Sequence, residues 1–414
     1  LNLVKTSLLS FIATCIKMLA NLVINKFVSL YIGPAGLAII DQFQNVATLI
    51  QTGSQGGINA GVTKYTADYN SKKIELYDLW GSSFRLTIFF TVIVSVAIYL
   101  LSGTISDYVF KTVSYAYLFK LFSVTLVFFS INQLMLSILN GLKEIKQFII
   151  INITQSICSL ILTAILIYFY NLTGALIALI TNQSIVFFIT LWKFKKYTNI
   201  TFERLAQQWN TLEAKRLLKY SLMALVTAAC LPLSQMLVRD YISKEFSWDY
   251  AGYWQAMTYI STMYLMVVTV ALSTYYLPRL SEINDKSELR KELIQGYKII
   301  MPIVALMALS VFFLKEFIVW VLFSSNFKPM LQLFAWQMIG DVFKIAGWLL
   351  AYLMLAKAMT KVFVITEIIF AISFYIISVL FVNYFGFVGL SYAFAANYLI
   401  YFLTIFFVMR NEYN

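Results

Sequence analysis

Apolar runs of about 20 residues or more recur along the whole chain, and they decide its solvent before any other feature does. Each run is long enough to cross roughly 30 Å of hydrocarbon as a helix. In lipid only helices and closed barrels satisfy their own backbone, and a barrel would show short alternating segments instead. The chain therefore reads as an all-α polytopic membrane protein. Composition agrees: of 414 residues, 61% are hydrophobic and 12% charged, against roughly 25% charged in a soluble domain.

Breaks at charges, Gly and Pro give about twelve transmembrane helices. Their approximate limits are 5–31, 37–63, 80–102, 115–139, 148–169, 174–192, 220–240, 250–275, 299–322, 331–356, 362–382 and 388–409. The first run is too long for a cleavable signal, carries Lys17 and Lys26, and lacks a small-residue cleavage site. With the N-terminus cytoplasmic, inside loops hold about 21 basic residues and outside loops about 3, so both termini are expected in the cytoplasm. Most of the net charge of +12 is then a topology signal with some attraction to anionic membrane lipid. No basic stripe interleaved with exposed aromatics suggests nucleic acid. The three cysteines fall inside apolar spans, and there is no histidine, which removes the commonest general base and transition-metal ligand. No cofactor is expected.

The longest inside loop, 193–219, separates six spans from six. Leu205, Trp209 and Leu212 could line an interfacial helix there; alternatively the helix starts later, with Asn210 and Glu213 as a capping pair. A basic segment over 277–298 predicts a short helix before the ninth span. Both halves open on Ser-Leu, place a basic residue about eighteen positions on (Lys26 and Arg239), and follow it with Ala-Gly and a Gln-bearing span. The expected architecture is two six-helix lobes, 1–192 and 220–414, around a central hydrated cavity.

At 100° per residue, polar side chains gather into stripes. Ser10, Thr14, Lys17, Asn21 and Asn25 form one on the first span. Asp41, Gln44, Asn45, Thr48, Thr52, Gln55, Asn59 and Thr63 form another on the second. Gln255, Thr258, Thr262, Thr269 and Ser273 line the eighth. Gln337, Asp341 and Lys344 share a face of the tenth, extended by Trp348 and Tyr352. Facing lipid, such stripes would be prohibitive, so they turn inward, either as interhelical glue or as a cavity wall. Lys17, Lys26, Arg239 and Lys344 are the candidate cations for an anionic substrate, with Asn21, Gln55, Asn59 and Gln255 as polar contacts. Asp41, Asp341 and Glu367 are the candidate ion-coupling carboxylates. Asp341 and Lys344 could equally be a neutralising i,i+3 pair. The Gly-rich "TGSQGGINAG" (52–61) lacks a phosphate-loop ending and reads as a packing ridge of Gly53, Gly57 and Gly61. The tyrosines at 250, 253, 259 and 264 read as interfacial anchors, with stacking on a sugar as the alternative.

Six blocks carry a family resemblance: "IGPAGLA" (32–38), "GVTKY" (61–65), "SLMALVTAACLPLSQMLVRDYI" (221–242), "FSWDYAGYWQAMTYIS" (246–261), "LPRLSE" (277–282) and "FAWQMIGDVFKIAGWLLAYLMLAKA" (334–358). In these the chain resembles Wzx flippases of the multidrug/oligosaccharidyl-lipid/polysaccharide (MOP) exporter superfamily, most of all the branch serving enterobacterial common antigen through lipid III. The resemblance implies alternating access in the bacterial inner membrane. It also implies an undecaprenyl-diphosphate-linked oligosaccharide (enterobacterial common antigen or O-antigen repeat unit) as cargo, and other polysaccharide assembly proteins as partners. It implies substrate-binding roles for Lys26, Arg239 and Lys344, which lie in or beside those blocks; Lys17 rests on its stripe alone. Two other readings stand beside it. A drug/cation antiporter of the same superfamily would want a more acidic cavity. A membrane polysaccharide polymerase would want a catalytic loop.

Overall fold

The computed structural model describes residues 3–69, 73–142, 144–198, 209–283, 285–357 and 359–413, and every regular element among them is helical. We number the α-helices α1 (Leu3–Tyr31), α2 (Gly33–Ser54), α3 (Asn59–Asp68), α4 (Lys73–Leu100), α5 (Ser102–Phe110), α6 (Ala116–Gly141), α7 (Ile145–Thr198), α8 (Thr211–Glu245), α9 (Trp248–Ala271), α10 (Leu277–Glu282), α11 (Lys286–Phe313), α12 (Lys315–Leu322), α13 (Phe334–Ala356), α14 (Thr360–Phe385) and α15 (Gly389–Tyr413).

Seven stretches among the described residues are long and apolar enough to span a membrane. Two of these, 146–194 and 361–410, are twice the needed length and double back at Asn171 and Gly386. Adding α2, α8 and α9, whose polar faces lower their hydropathy, gives twelve passes. The outward faces fit lipid: along α14, Ile365, Ile369, Ile372, Ile376 and Leu380 are all exposed at helical spacing.

The chain forms two compact units. The first holds residues 1–31 and 39–229, the second 32–38 and 230–414. The core of the first gathers Ile58, Leu79, Trp80, Leu134, Ile138 and Leu217 among others. That of the second gathers Leu265, Leu272, Leu280, Val304, Leu349 and Leu353.

Their interiors repeat in detail beyond what the letters show. In each unit a long helix stops at a leucine of near-identical geometry (Leu101, φ −92°, ψ 9°; Leu314, φ −91°, ψ 9°) and restarts as a short helix, α5 or α12. Each then enters a 3₁₀ segment and a long inner helix, α6 or α13. Each unit also contains a hairpin built one way. A residue at positive φ (Asn171, 48°; Gly386, 65°) is followed by a glycine so close to the preceding helix that a Cβ would lie 1.9 Å from the Leu166 oxygen or 2.2 Å from that of Phe381.

The second expected span, 37–63, is interrupted. Gly56 (φ 62°) and Gly57 (φ 63°) take left-handed backbone that L side chains rarely adopt, so α2 ends and α3 begins anew. The expected glycine ridge is therefore a break. Gly57 packs against Ser221 and Ala224 of α8, whereas Gly53 meets only Val94. At the matching place in the second unit, between α9 and α10, Leu272–Tyr276 form a π-helical turn.

Residues 199–208, which hold much of the expected interfacial helix, lie outside the described residues. Asn210 caps α8, its Oδ1 accepting from Leu212 N (2.9 Å) and Glu213 N (3.4 Å). Glu213 does not complete a capping box. Ser82 Oγ accepts from Asn210 N instead, and Glu213 takes Arg216 and the Tyr69 hydroxyl. Burial, then the Glu213 carboxylate, raises the Tyr69 phenol above its ordinary pKa, so it stays the donor this arrangement needs. The short helix expected before the ninth span is α10, and Asp285 caps the helix that follows.

Candidate functional site

Of the expected charged residues, Asp341, Lys344 and Glu367 lie in the second unit on α13 and α14. Helix α13 is apolar enough to span, yet it buries Gln337 and Asp341 completely. Its small residues permit that: a Cβ on Gly340 would strike the Phe394 ring at 2.4 Å, and one on Gly347 the Tyr401 ring at 2.6 Å. α15 thereby packs tightly against α13 and brings its aromatic face onto the polar stripe.

Asp341 Oδ2 accepts from the Tyr264 hydroxyl of α9 at 2.8 Å. One turn earlier, the Gln337 amide donates to Ser261 Oγ at 3.1 Å. Asp341 Oδ1 and Gln337 Oε1, both buried, have no hydrogen-bond donor among the described residues. Two acceptor oxygens without donors in a low-dielectric interior are costly unless a proton or cation reaches them.

Lys344 lies three residues on, but no contact ion pair joins it to Asp341 among the described residues. Its ammonium instead sits over three rings: Trp348 at 4.9 Å, Tyr398 at 5.5 Å and Phe394 at 5.9 Å from their centroids. Ring faces stabilise a cation without neutralising it. The lysine charge therefore remains available to an anion. Further along α15, the buried Tyr401 lies beside Glu367 of α14.

A second cluster in the same unit contains Arg239 near the end of α8. It is 1% exposed, and its guanidinium donates to Gln255 Oε1 of α9 at 3.0 Å. Gln255 of the eighth-span stripe is thus joined to Arg239 of the seventh span.

In the first unit the stripes hold mostly neutral hydrogen bonds. Asn45 donates to Asp41 (3.5 Å), Gln44 to Thr48 (3.5 Å), and Asn59 to Gln55 across the glycine break. On α1, Lys17 and Asn21 are exposed, Lys26 is half-buried, and Asn25 is bonded to the Asn21 carbonyl. α6, the counterpart of α13, carries no charge from 121 to 141. A fully buried carboxylate and a lysine on the inner helix are therefore features of the second unit, not of the repeat.

Tyr264 is not the interfacial anchor expected of it; it is the donor to Asp341. Phe394, Tyr398 and Tyr401 went unrecognised because nothing local marks them. Their spacing of three and four residues puts them on one face of α15, but in an aromatic-rich chain that signal alone is ambiguous.

The chain has the fold of solved MOP-superfamily transporters. A MATE-family multidrug transporter in its inward-facing conformation superposes with a TM-score of 0.79 at 13% identity, covering 96% of this chain and 94% of that one. A MOP-superfamily transporter from Pyrococcus furiosus gives 0.71 at 16% identity, covering 99% and 95%. The family model described as polysaccharide biosynthesis protein matches residues 37–332, and the chain belongs to that family. It is also 29% identical to the lipid III flippases of Escherichia coli K12 and of Shigella flexneri, over 97% of each chain.

Proposed function

We propose that the chain is a flippase. It moves an undecaprenyl-diphosphate-linked oligosaccharide from the cytoplasmic to the periplasmic leaflet of the bacterial inner membrane, with both termini cytoplasmic. The observation that carries this reading is Lys344: a half-buried cation held by ring faces, one turn from a carboxylate it does not touch. Such an ammonium can take a diphosphate oxygen without first breaking an ion pair. Arg239 and Lys26 are the other proposed phosphate contacts, and Lys17, Asn21, Gln55, Asn59 and Gln255 the proposed glycan contacts. The lipid III flippases similar to this chain support an enterobacterial common antigen unit as the cargo.

Asp341 is the proposed coupling site. Its unpartnered Oδ1 beside Gln337 Oε1 suits a proton or Na⁺. Binding there offsets the carboxylate beside Lys344 and strengthens its hold on an anion; release weakens it. Alternating access would follow if the two membrane faces see the site in opposite ion-occupancy states. Asp41 and Glu367 are secondary candidates. The same buried acidic group favours one rival, a cation-coupled drug antiporter on the MATE-like fold.

The deciding experiment places Lys344→Ala and Arg239→Ala in cells whose surface glycan depends on this chain. Loss of the glycan with normal membrane levels of protein is expected; unchanged glycan removes both residues from the site. Flipping of the lipid-linked unit in proteoliposomes, measured with and without proton and sodium gradients, tests coupling. Drug efflux without glycan rescue would favour the antiporter.

A further inference from the structure

A groove of about 610 Å³ opens on the second unit, away from the Asp341 site. Its size falls in the range of roughly 300–1,000 Å³ common for small-ligand sites. One wall is a face of α11: Arg290, Leu293, Ile294 and Tyr297. The other is α15: Phe402, Phe406 and Arg410, with Leu350 of α13 between them. Arg290 lies in the first turns of α11 and Arg410 in the last turn of α15. The groove therefore carries both guanidiniums at one end and an apolar bed beyond them. Along either helix that bed extends roughly 10–12 Å, at 1.5 Å per residue. The loops at the arginine end belong to the basic, inside set read from the sequence.

Both arginines are exposed and neither has an ion-pair partner among the described residues. The neighbouring acids are already engaged: Glu288 and Glu292 pair with Arg279 at 3.1 and 3.5 Å. The Tyr297 hydroxyl is spent on the Ala346 carbonyl at 2.5 Å. Beyond the arginines the lining thus offers no free polar side-chain group for a sugar.

We propose that this groove is a binding site for an anionic glycerophospholipid of the cytoplasmic leaflet. Arg290 and Arg410 take its phosphate, and an acyl chain lies on Leu293, Tyr297, Leu350 and Phe402. Two guanidiniums match a phosphate in both charge and fork geometry. Basic pockets between helices on the cytoplasmic side are where anionic head groups bind. The lack of free sugar-binding groups favours a small head group over a glycan-bearing diphosphate. The site stands whether or not the chain is a flippase.

The test is native mass spectrometry of the full-length protein in mild detergent, titrated with phosphatidylglycerol and, separately, phosphatidylethanolamine. Phosphatidylglycerol should be retained preferentially. Losing one arginine should weaken it about 5-fold and losing both about 25-fold, taking each basic residue near the surface at its usual electrostatic worth. Arg290→Gln, Arg410→Gln and the double variant measure this, with melting curves to confirm folding. The Arg290→Lys/Arg410→Lys variant should keep most of the affinity. Lys298→Gln, on the same helix outside the groove, should change nothing. Equal retention of the two lipids overturns the proposal, as does a glutamine double variant that binds like Lys298→Gln. Preferential, arginine-dependent capture of undecaprenyl diphosphate over phosphatidylglycerol also overturns it, making the groove a cargo site.

Discussion

Replacing Lys344 with Met keeps the length of the side chain in the ring box but removes its charge. Lys344 and Asp341 are three residues apart on one helix, so their Cβ atoms lie roughly 6 Å apart, which we take as the order of their charge separation. At an effective dielectric of about 20, two unit charges at that distance attract by about 3 kcal/mol. Three ring contacts add about 0.5–2 kcal/mol, which methionine gives up. Lys344→Met should therefore destabilise the protein by about 3–5 kcal/mol, the usual cost of leaving one member of a buried pair alone. Asp341→Asn should be less damaging, because the amide can still accept from Tyr264. In the double variant much of the loss should disappear, with a coupling energy of about 3 kcal/mol in the cycle. Reversible unfolding of the four proteins in mixed micelles at pH 8, read by tryptophan fluorescence, measures it. A coupling below about 0.5 kcal/mol would mean that the ammonium does not sense the carboxylate, and the proposed ion-dependent tuning of Lys344 would fall with it.

Tyr264→Phe should cost about 1.5–3 kcal/mol, the worth of a hydrogen bond to a charged group, in the same unfolding assay. Tyr250→Phe, on the same helix and with no hydroxyl hydrogen bond among the described residues, should be near neutral and serves as its control. Gly57→Ala forces a Cβ to 3.0 Å from the Ser221 oxygen at a positive φ and should lose at least about 1–2 kcal/mol. Gly53→Ala, in open helix one turn earlier, should gain up to about 1 kcal/mol. Asn210→Ala should cost about 1 kcal/mol by uncapping α8, seen as faster amide exchange at Leu212 and Glu213.

The membrane class, the approximate spans and the two-lobed plan were legible because they rest on long-range averages: apolar run length and basic-residue bias. The location of the charge was legible too, since Asp341 and Lys344 stand out of an apolar helix on their own letters. Their pairing was not. An i,i+3 spacing permits a salt bridge, but the ammonium sits over Trp348 of its own helix and over two rings of α15, some fifty residues downstream. The glycine run at 52–61 misled for a related reason. Small residues at every fourth position serve a helix ridge equally well, and only the positive φ of Gly56 and Gly57 separates a break from a ridge. The repeat was nearly silent in letters yet plain in backbone, because Leu101 and Leu314, or Asn171 and Gly386, need share only a conformation.

The seven residues 32–38, which open α2, belong by packing to the second unit although they precede most of the first in sequence. The Ala35 amide is held by Asp249 at 3.1 Å, and Gly252 lets the Pro34 carbonyl approach where a Cβ would sit 2.0 Å away. A gene cut between the two repeats would therefore not yield two finished halves. The downstream fragment would leave Asp249 and the Gly252 face uncovered, while the upstream one would carry the missing clasp. Two separately expressed pieces should thus reassociate by exchanging a short borrowed segment, and a downstream piece should fold best when residues 32–38 are grafted back onto it.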